Sequence, residues 1–225
     1  MKYKVLYSLI AIFVFISCKK DDGNKPDPEP DAFYVNTIDG STWNYHEVNK
    51  SGPSPVESDY TITSTSRDTS VGPRNYHIYN YSYGRNQYLY LSGHSYFQYD
   101  SIPGMNLIFE REYLRDDAAV GASWTQNLNV PVPGLPGTIP IIVTYKIVEK
   151  GISRSVNSKS YSNVIHVSTT ISSIGLPSDA LTSDIHSYYA EDYGLIENTT
   201  KININFLGVV QKVDLETTLT SANLR

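Results

Sequence analysis

The chain has 225 residues, of which 40% are hydrophobic and 18% charged, so it can bury a core and is not disordered over most of its length. Its 19 tyrosines favour strands over helices. The net charge of −5 at pH 7 does not attract a phosphate backbone, which argues against nucleic acid as a partner.

The first seventeen residues have the arrangement of a secretion signal. Lys2 and Lys4 make the start basic, and residues 5–16 are an apolar run too short to span a hydrocarbon layer of roughly 30 Å. We expect residues 1–17 to be a cleaved signal peptide. Cys18 follows directly and is the single cysteine of the chain, so no internal disulfide is expected. The alternative is a secreted protein whose cysteine is unmodified.

The sequence Phe15-Ile16-Ser17-Cys18 resembles the lipobox of bacterial lipoproteins, with Phe15 where Leu is usual. The resemblance implies that the Cys18 thiol takes a diacylglycerol, that the chain is cut before it, and that the new amine is acylated. Residues 19–22, Lys-Lys-Asp-Asp, resemble the short export tag of Bacteroidota lipoproteins that reach the outer face of the outer membrane. These features imply an outer-membrane lipoprotein, exposed at the cell surface if the tag acts. An ordinary solvated charge run facing the periplasm is the alternative.

Residues 23–31 alternate proline with acidic residues and have nothing to bury. We therefore predict that residues 18–31 are the lipidated cysteine and an extended tether. The remaining segment, residues 32–225, is predicted to be a single β domain.

From residue 33 onward, apolar and polar residues alternate with a period of two, which is typical of half-buried strands. Eleven or twelve strands are predicted, and no segment between them is long enough for a crossover helix, so the sheet should be mainly antiparallel. We predict an all-β fold: a strongly curved sheet that forms an open barrel or a sandwich, with at most one short helix, at Ser178–Asp184. The predicted strands are 43–48, 60–65, 76–83, 88–92, 96–99, 107–113, 123–130, 141–147, 165–171, 187–190, 196–206 and 209–219.

Two further segments, residues 121–124 and 188–196, look like segments of Bacteroidota lipoproteins of unknown function. The resemblance implies a curved antiparallel sheet similar to the open barrel of lipoprotein-carrier proteins, and it implies no activity. Gly194 is expected to supply a bend or a bulge between strands.

The hairpin from Tyr76 to Ser92 has two candidate registers. Hydrophobic patterning favours Tyr83 opposite Gln87, which collects the apolar side chains on one face. Tyr88 and Tyr90 then stand two apart on the other, more polar face, at a spacing where their rings can stack on a sugar or another flat ligand. Exposed rings at a sheet edge with no ligand are the alternative.

In the second register, Tyr83 lies opposite Tyr88 and His77 lies opposite His94, which would suggest a metal site. The five histidines are otherwise far apart in sequence, and we predict neither a metal site nor a cofactor. They are His46, His77, His94, His166 and His186.

Asp100-Ser101-Ile102 resembles the acceptor of Bacteroidota O-glycosylation, with Ser101 as the linkage residue in a predicted turn. Glu110 and Glu112 share one face of a strand at a spacing that suits an inverting glycosidase. Because Phe109 and Tyr113 occupy the opposite face, the glutamates are expected on the solvated side, and no catalytic residue is assigned.

Residues 131–140 form a proline-rich apolar segment, expected to be a loop that crosses the end of the sheet. Val132, Leu135 and Ile139 would either cover the open end of the barrel or contact a partner.

The sequence lacks the common hydrolase, zinc-protease and nucleotide-binding motifs. The leading hypothesis is a non-enzymatic, membrane-anchored lipoprotein whose β domain binds a glycan, a lipophilic molecule or an envelope protein. The alternatives are a hydrolase with a dispersed site and a structural or assembly component of the outer membrane.

Overall fold

The computed structural model describes residues 33–102, 107–131, 137–206 and 209–225, which belong to one unit, Ala32–Arg225. Every regular element in these ranges is a strand, and every predicted strand overlaps one of them. The all-β prediction is confirmed. The strands are β1 (Thr42–Asn49), β2 (Val56–Val71), β3 (Arg74–Tyr81), β4 (Asn86–Ser92), β5 (Ser95–Ile102), β6 (Leu107–Arg115), β7 (Ser123–Pro131), β8 (Thr138–Val156), β9 (Lys159–Ser172), β10 (Leu181–Ala190), β11 (Gly194–Phe206) and β12 (Val209–Asn223).

The helix predicted at Ser178–Asp184 is wrong. Ser178 and the next two residues form a turn, in which the Ala180 amide donates to the carbonyl of Pro177 at 3.0 Å, and β10 begins at Leu181. Asp184 pairs with Lys201 of β11 in a ladder that runs the length of β10. That ladder overrides the helix-capping signal. Among the described residues, none lies in a helix long and apolar enough to cross a membrane.

All twelve strands belong to one antiparallel sheet in which β1 also pairs with β12, so that β6 and β7 become the two edges. These edges come together through side chains. The indole Nε1 of Trp124 donates to the carbonyl of Glu112 at 2.8 Å, and the Gln126 amide donates to the carbonyl of Glu110. Because these bonds hold the two edge strands together, the sheet is a nearly closed barrel and not a sandwich.

One end of the barrel is filled by large buried side chains and crossed by the segment before β1. Tyr34 is 6% exposed, its hydroxyl donates to the carbonyl of Asn163 at 2.9 Å, and its amide donates to the Tyr96 hydroxyl at 3.2 Å. Gly194 has φ of +69°, and a Cβ added there would lie 3.2 Å from the Tyr34 carbonyl oxygen. The bend expected at Gly194 is confirmed, and glycine is also needed there for the close approach of this segment.

Neither predicted register of the β3–β4 hairpin is correct. Asn80 lies opposite Asn86, and Tyr79 lies opposite Gln87, so the loop is two residues longer than the preferred register required. Hydrogen bonds from the Tyr81 amide to the carbonyl of Arg85, and from the Gly84 amide to the carbonyl of Tyr81, form this loop. The shift is by an even number of residues, so the predicted division of side chains between the two faces is retained.

Two predicted turns are shorter in the structure. Ser101 lies in β5 opposite Ile108, not in a turn, because the β5–β6 ladder continues to Ile102. In the proline-rich segment, Pro131 belongs to β7 and Ile139 to β8, where Ile139 pairs with Val130. Val132 and Leu135, Cys18, the predicted signal peptide and the tether lie outside the described residues.

Candidate functional site

Inside the barrel, above the segment that contains Tyr34, lies a cavity of about 150 Å³. Its floor is formed by residues 34–36 and 193–195, and its walls are mainly rings. The tyrosines that line it are Tyr34, Tyr45, Tyr60, Tyr79, Tyr81, Tyr113, Tyr189 and Tyr193. Alternation along the strands places these side chains inward, since Tyr45 pairs with Tyr60 and Trp43 with Ile62 across β1 and β2.

Several of these phenols are fixed by hydrogen bonds to backbone carbonyls. The hydroxyl of Tyr45 donates to Leu195 at 2.7 Å, and that of Tyr79 donates to Asn36 at 2.8 Å. Burial raises the pKa of Tyr34 to about 12 and raises the pKa values of Tyr45 and Tyr79 well above the ordinary value. The phenols therefore remain neutral at physiological pH, and the rings form a preorganised apolar wall.

Arg111 is the one charged residue among the described residues that line this cavity. One of its terminal nitrogens, Nη2, donates to Oε1 of Gln98 at 2.6 Å. Its Nε atom is buried and has no hydrogen-bond partner among the described residues, and no carboxylate of those residues forms an ion pair with Arg111. A buried donor on a cation is costly to leave unsatisfied, so the site has an unmet demand for an acceptor.

The charge of Arg111 acts on the tyrosines around it. Burial raises the pKa values of Tyr113 and Tyr189, and the positive charge of Arg111 opposes that rise in both. The cross-strand row Leu89–Gln98–Arg111 runs over β4, β5 and β6 on the inner face. The guanidinium is thus held between an amide and neutral phenols, with no acidic side chain among the cavity residues that the structure describes.

Arg111 was not among the predicted site residues, although the sequence pattern contained a signal for it. The apolar face predicted for β6 includes Phe109 and Tyr113, and a period of two places Arg111 on that same face. A charged residue in the middle of an apolar face marks a buried polar site. The same alternation places Gln98 and Gln87 inward.

Partly exposed side chains form the other end of the cavity. Tyr60 stacks on Tyr45 at a centroid distance of 5.3 Å and on Tyr81 at 5.5 Å, and Tyr83 packs beside it and is 57% exposed. Tyr60, Tyr81 and Gln87 all line the cavity and are only half-buried. The cavity therefore reaches solvent past a row of aromatic rings.

The predicted ligand residues Tyr88 and Tyr90 lie on the outer face of β4 and are half-buried. Tyr90 packs at 5.8 Å from both Tyr76 and Phe97, and the Arg74 guanidinium lies 5.1 Å from its ring centroid. This face is more apolar than the pattern predicted, because Tyr76 is only 2% exposed there. Part of the stacking surface of Tyr90 is already used within the protein.

Ser64, His77 and Asp68 form a hydrogen-bonded row. Ser64 Oγ lies 2.9 Å from His77 Nε2, and His77 Nδ1 lies 2.9 Å from Oδ1 of Asp68. An irregularity in β2 between Ser64 and Asp68 brings both residues to His77. The order resembles a catalytic triad, but Ser64 has no exposed surface. A nucleophile must contact its substrate, so this arrangement is better suited to holding β2 on β3.

A second cavity, of about 260 Å³, borders His77 and Asp68. It lies where the β3–β4 ladder ends at the pair His77–Leu89, although both strands continue. The two cavities share Val35, Leu89 and Tyr113 as lining residues. The larger cavity is therefore a gap in the barrel wall next to the inner site. None of the described residues that line it is a lysine or an arginine.

The remaining titratable candidates are engaged in local pairs. Glu110 accepts hydrogen bonds from Arg74 and from the Tyr76 hydroxyl. Burial would raise the pKa of Glu112, but hydrogen bonding and the charge of Arg115 lower it overall. His77 lies opposite Leu89, so the pairing with His94 does not occur. In the described ranges, no group of three or more His, Cys, Asp or Glu side chains is arranged to hold a metal ion.

No family model matches the sequence, and no curated protein matches it. The fold is similar to the crystal structure of a candidate lipoprotein from Parabacteroides distasonis, with a TM-score of 0.50 and 11% identity over 87% of this chain and 100% of that one. A candidate exported protein with a YmcC-like fold from Bacteroides fragilis matches with a TM-score of 0.42 and 9% identity, over 86% of this chain and 100% of that one. At these identities the first similarity shows a shared fold.

Proposed function

We propose that this chain is a lipid-anchored, non-enzymatic protein of the outer membrane whose barrel binds a small ligand. The observation that carries the proposal is the tyrosine-lined cavity with the unpaired Arg111 Nε. Mostly apolar cavities with a few placed polar groups are the usual form of small-molecule sites. The glycans and lipophilic molecules expected from the sequence both suit rings of tyrosine, and an envelope protein remains the alternative partner.

Binding is tested with the domain expressed from Ala32 and with neutral six-membered rings, benzamide and methyl glucoside, by ligand-observed NMR. A cavity of about 150 Å³ is large enough for a ring of benzene size. We expect saturable binding of at least one ring, and loss of that binding in Leu89→Trp, which fills the cavity. Val210→Trp, at a position that is 79% exposed, is the matched control.

Overpacking destabilises a core by about 1–3 kcal/mol, so each variant is first checked for a cooperative thermal transition. If Leu89→Trp does not fold, Gln87→Trp at the half-buried rim takes its place. A wild-type domain that binds none of the neutral rings and neither benzoate nor methyl glucuronide would refute a ligand site in the barrel.

The lipid anchor is tested separately. The sequence from residues 15–18 supports acylation of Cys18, and the resemblance to a candidate lipoprotein in fold is compatible with it. We expect Cys18→Ser to leave the chain unprocessed or to release it from the membrane fraction, because acyl chains provide the attachment. Fully processed Cys18→Ser protein that still sediments with outer membranes would contradict the proposal. Labelling of intact cells with a membrane-impermeant reagent distinguishes surface exposure from a periplasmic location.

The sequence also predicts one modification site and one outer contact surface, and both are part of the proposal. Ser101 is proposed as an O-glycan acceptor, supported by the Asp-Ser-Ile triplet. Mass spectrometry of the native protein tests it, with an unmodified peptide containing Ser101 as the contrary result. Tyr88 and Tyr90 are proposed as a second, outer contact surface for a flat ligand.

Hydrolysis is the second candidate function, and the Ser64–His77–Asp68 row favours it. A fluorophosphonate probe phosphonylates an activated serine, with fluoride as the leaving group, so it tests the idea directly. Because Ser64 is fully buried, we expect the wild-type domain and Ser64→Ala to show the same absence of labelling. Labelling of the wild type that disappears in Ser64→Ala would favour the hydrolase.

A further inference from the structure

The inner cavity contains a cation whose bonding is incomplete. Nη2 of Arg111 donates to Gln98, whereas Nε is buried and has no partner among the described residues. By contrast, Arg74, Arg115 and Arg154 each form an ion pair with a glutamate. Arg111 forms no ion pair with the described residues. Its charge is therefore not balanced by a described carboxylate, and it is not fully solvated either.

A guanidinium presents its donors in a planar fork that matches the two oxygens of a carboxylate. In Arg111 the Nη2 donor is directed to Gln98 at 2.6 Å, while none of the described residues provides an acceptor for the Nε donor. An incoming carboxylate oxygen would satisfy Nε, and the neighbouring guanidinium donors can bind the second oxygen.

The size of the cavity limits the remainder of the ligand. A volume of about 150 Å³ matches one six-membered ring and is far too small for a long acyl chain. Tyr113 and Tyr189, each 8% exposed, provide buried ring surface near the guanidinium. Flat rings and the C–H face of a sugar both pack on such aromatic surfaces.

We infer that the barrel binds a six-membered ring that carries a carboxylate, with the carboxylate on Arg111 and the ring among the cavity tyrosines. The inference rests on the proposed ligand site and specifies its substrate class. Two sources share this chemistry, an aromatic acid and a uronic acid sugar. They differ in the hydroxyl groups that the ring presents to the half-buried rim of Tyr60, Tyr81 and Gln87.

The test compares benzoate with benzamide, and methyl glucuronide with methyl glucoside, on the domain expressed from Ala32. Isothermal titration and ligand-observed NMR measure the affinities at constant ionic strength. We expect at least one carboxylate to bind about 10- to 100-fold more tightly than its neutral partner, as for a charge-assisted hydrogen bond. Preference for benzoate or for the glucuronide identifies the source.

Substitutions of arginine separate this pairing from a general effect of charge. Arg111→Met should reduce carboxylate affinity to the level of the neutral ring while leaving neutral-ring binding in place. Arg111→Lys keeps the charge but loses the planar fork, so an intermediate affinity is expected. Arg85→Met removes the same charge from an exposed loop and should change nothing. Chemical-shift changes of the Arg111 Nε–H upon addition of the carboxylate provide a readout that does not depend on the variants.

The possible failures can be told apart. Equal affinities for the carboxylates and their neutral partners, or equal losses in Arg111→Met and Arg85→Met, would overturn the pairing and leave the ligand site intact. If no ring binds, neutral or anionic, the ligand site itself is wrong and the inference with it. Tighter carboxylate binding that survives in a folded Arg111→Met would also overturn the assignment.

Discussion

Residues 33–36 should be required both for the stability of the barrel and for its cavity, whereas the residues before them should not. A domain beginning at Phe33 keeps every contact described for this segment, because Tyr34, Val35 and Asn36 remain. A domain beginning at Thr37 removes the buried Tyr34 ring and the Asn36 carbonyl that accepts the Tyr79 hydroxyl at 2.8 Å.

The cost can be approximated from the contacts. Truncation of a buried large aromatic side chain to alanine costs about 3–5 kcal/mol, and each lost hydrogen bond costs about 1 kcal/mol. Tyr34 is 6% exposed and makes two hydrogen bonds, to Asn163 and Tyr96. The Asn36–Tyr79 bond is also lost, so we expect the domain that begins at Thr37 to lose about 6–8 kcal/mol, a large part of the 5–15 kcal/mol that ordinary domains possess.

Thermal unfolding measures this difference, since about 2–4 °C in Tm corresponds to 1 kcal/mol for a domain of 150–250 residues. The chains beginning at Ala32 and Phe33 should melt together, and the chain beginning at Thr37 at least about 10 °C lower. Tyr34→Phe is the matched control, because it keeps the ring and loses only the bond to Asn163, at a cost of about 1 kcal/mol. Equal Tm values for the Phe33 and Thr37 chains would refute the role assigned to this segment.

Three further predictions concern single side chains. Trp124→Phe keeps the ring but removes the indole donor that joins β7 to β6, so urea unfolding should show a loss of about 0.5–1.5 kcal/mol. Trp43→Phe is its control, because Trp43 Nε1 has no partner in the part of the chain that the structure describes and its removal should cost less; equal losses would contradict the role of the bond. Burial lowers the pKa of His166, so the folded state resists protonation, and stability should fall as the pH drops below about 6.5. The same unfolding titration on His166→Gln should show a flatter dependence on pH, and an unchanged slope would count against this. For the outer surface, a Tyr88→Ala, Tyr90→Ala double variant should lose glycan-array signal, and an undiminished signal would exclude these rings.

The fold was largely predictable because a period-two pattern is strong wherever one face of a strand is buried. β12 illustrates this: Val213, Leu215 and Leu219 alternate with polar residues, and the strand is found at Val209–Asn223. The pattern was less informative where the ladder is irregular. In β8 the predicted segment ends at residue 147, but the strand continues to Val156 through register shifts against β9, including one between Ile147 and Glu149. Such bulges change which residues face inward and interrupt the alternation.

Hairpin registers were less predictable than strand positions. The β3–β4 loop contains Gly84 at φ of +78°, but it lacks the Asn-Gly or Asp-Gly pair that specifies a tight two-residue turn. Hydrophobic patterning distinguishes odd from even shifts, since an odd shift would expose the buried face. Patterning does not distinguish between two registers that differ by an even number of residues. The observed register differs from the preferred one in this way. Faces were therefore predicted correctly while cross-strand partners were not.

The candidate site was the least predictable part, because a cavity forms only when distant strands meet. Arg111 on β6 faces Tyr189 on β10, and the floor under both comes from residues before β1. Sequence alternation alone places each of these residues on an inner face, but it does not show that the described residues lining the cavity include no acid. Arg111 is half-buried and its Nε is buried without a partner among the described residues, which is costly unless an anion accompanies it, whereas a fully apolar side chain at position 111 would pack without that cost. The arginine therefore reduces the stability of the empty barrel, and the compensation that the structure suggests is a ligand. Arg111→Met should accordingly raise the Tm of the ligand-free domain while abolishing its preference for carboxylates, and a lowered Tm would show that Arg111 serves the fold instead.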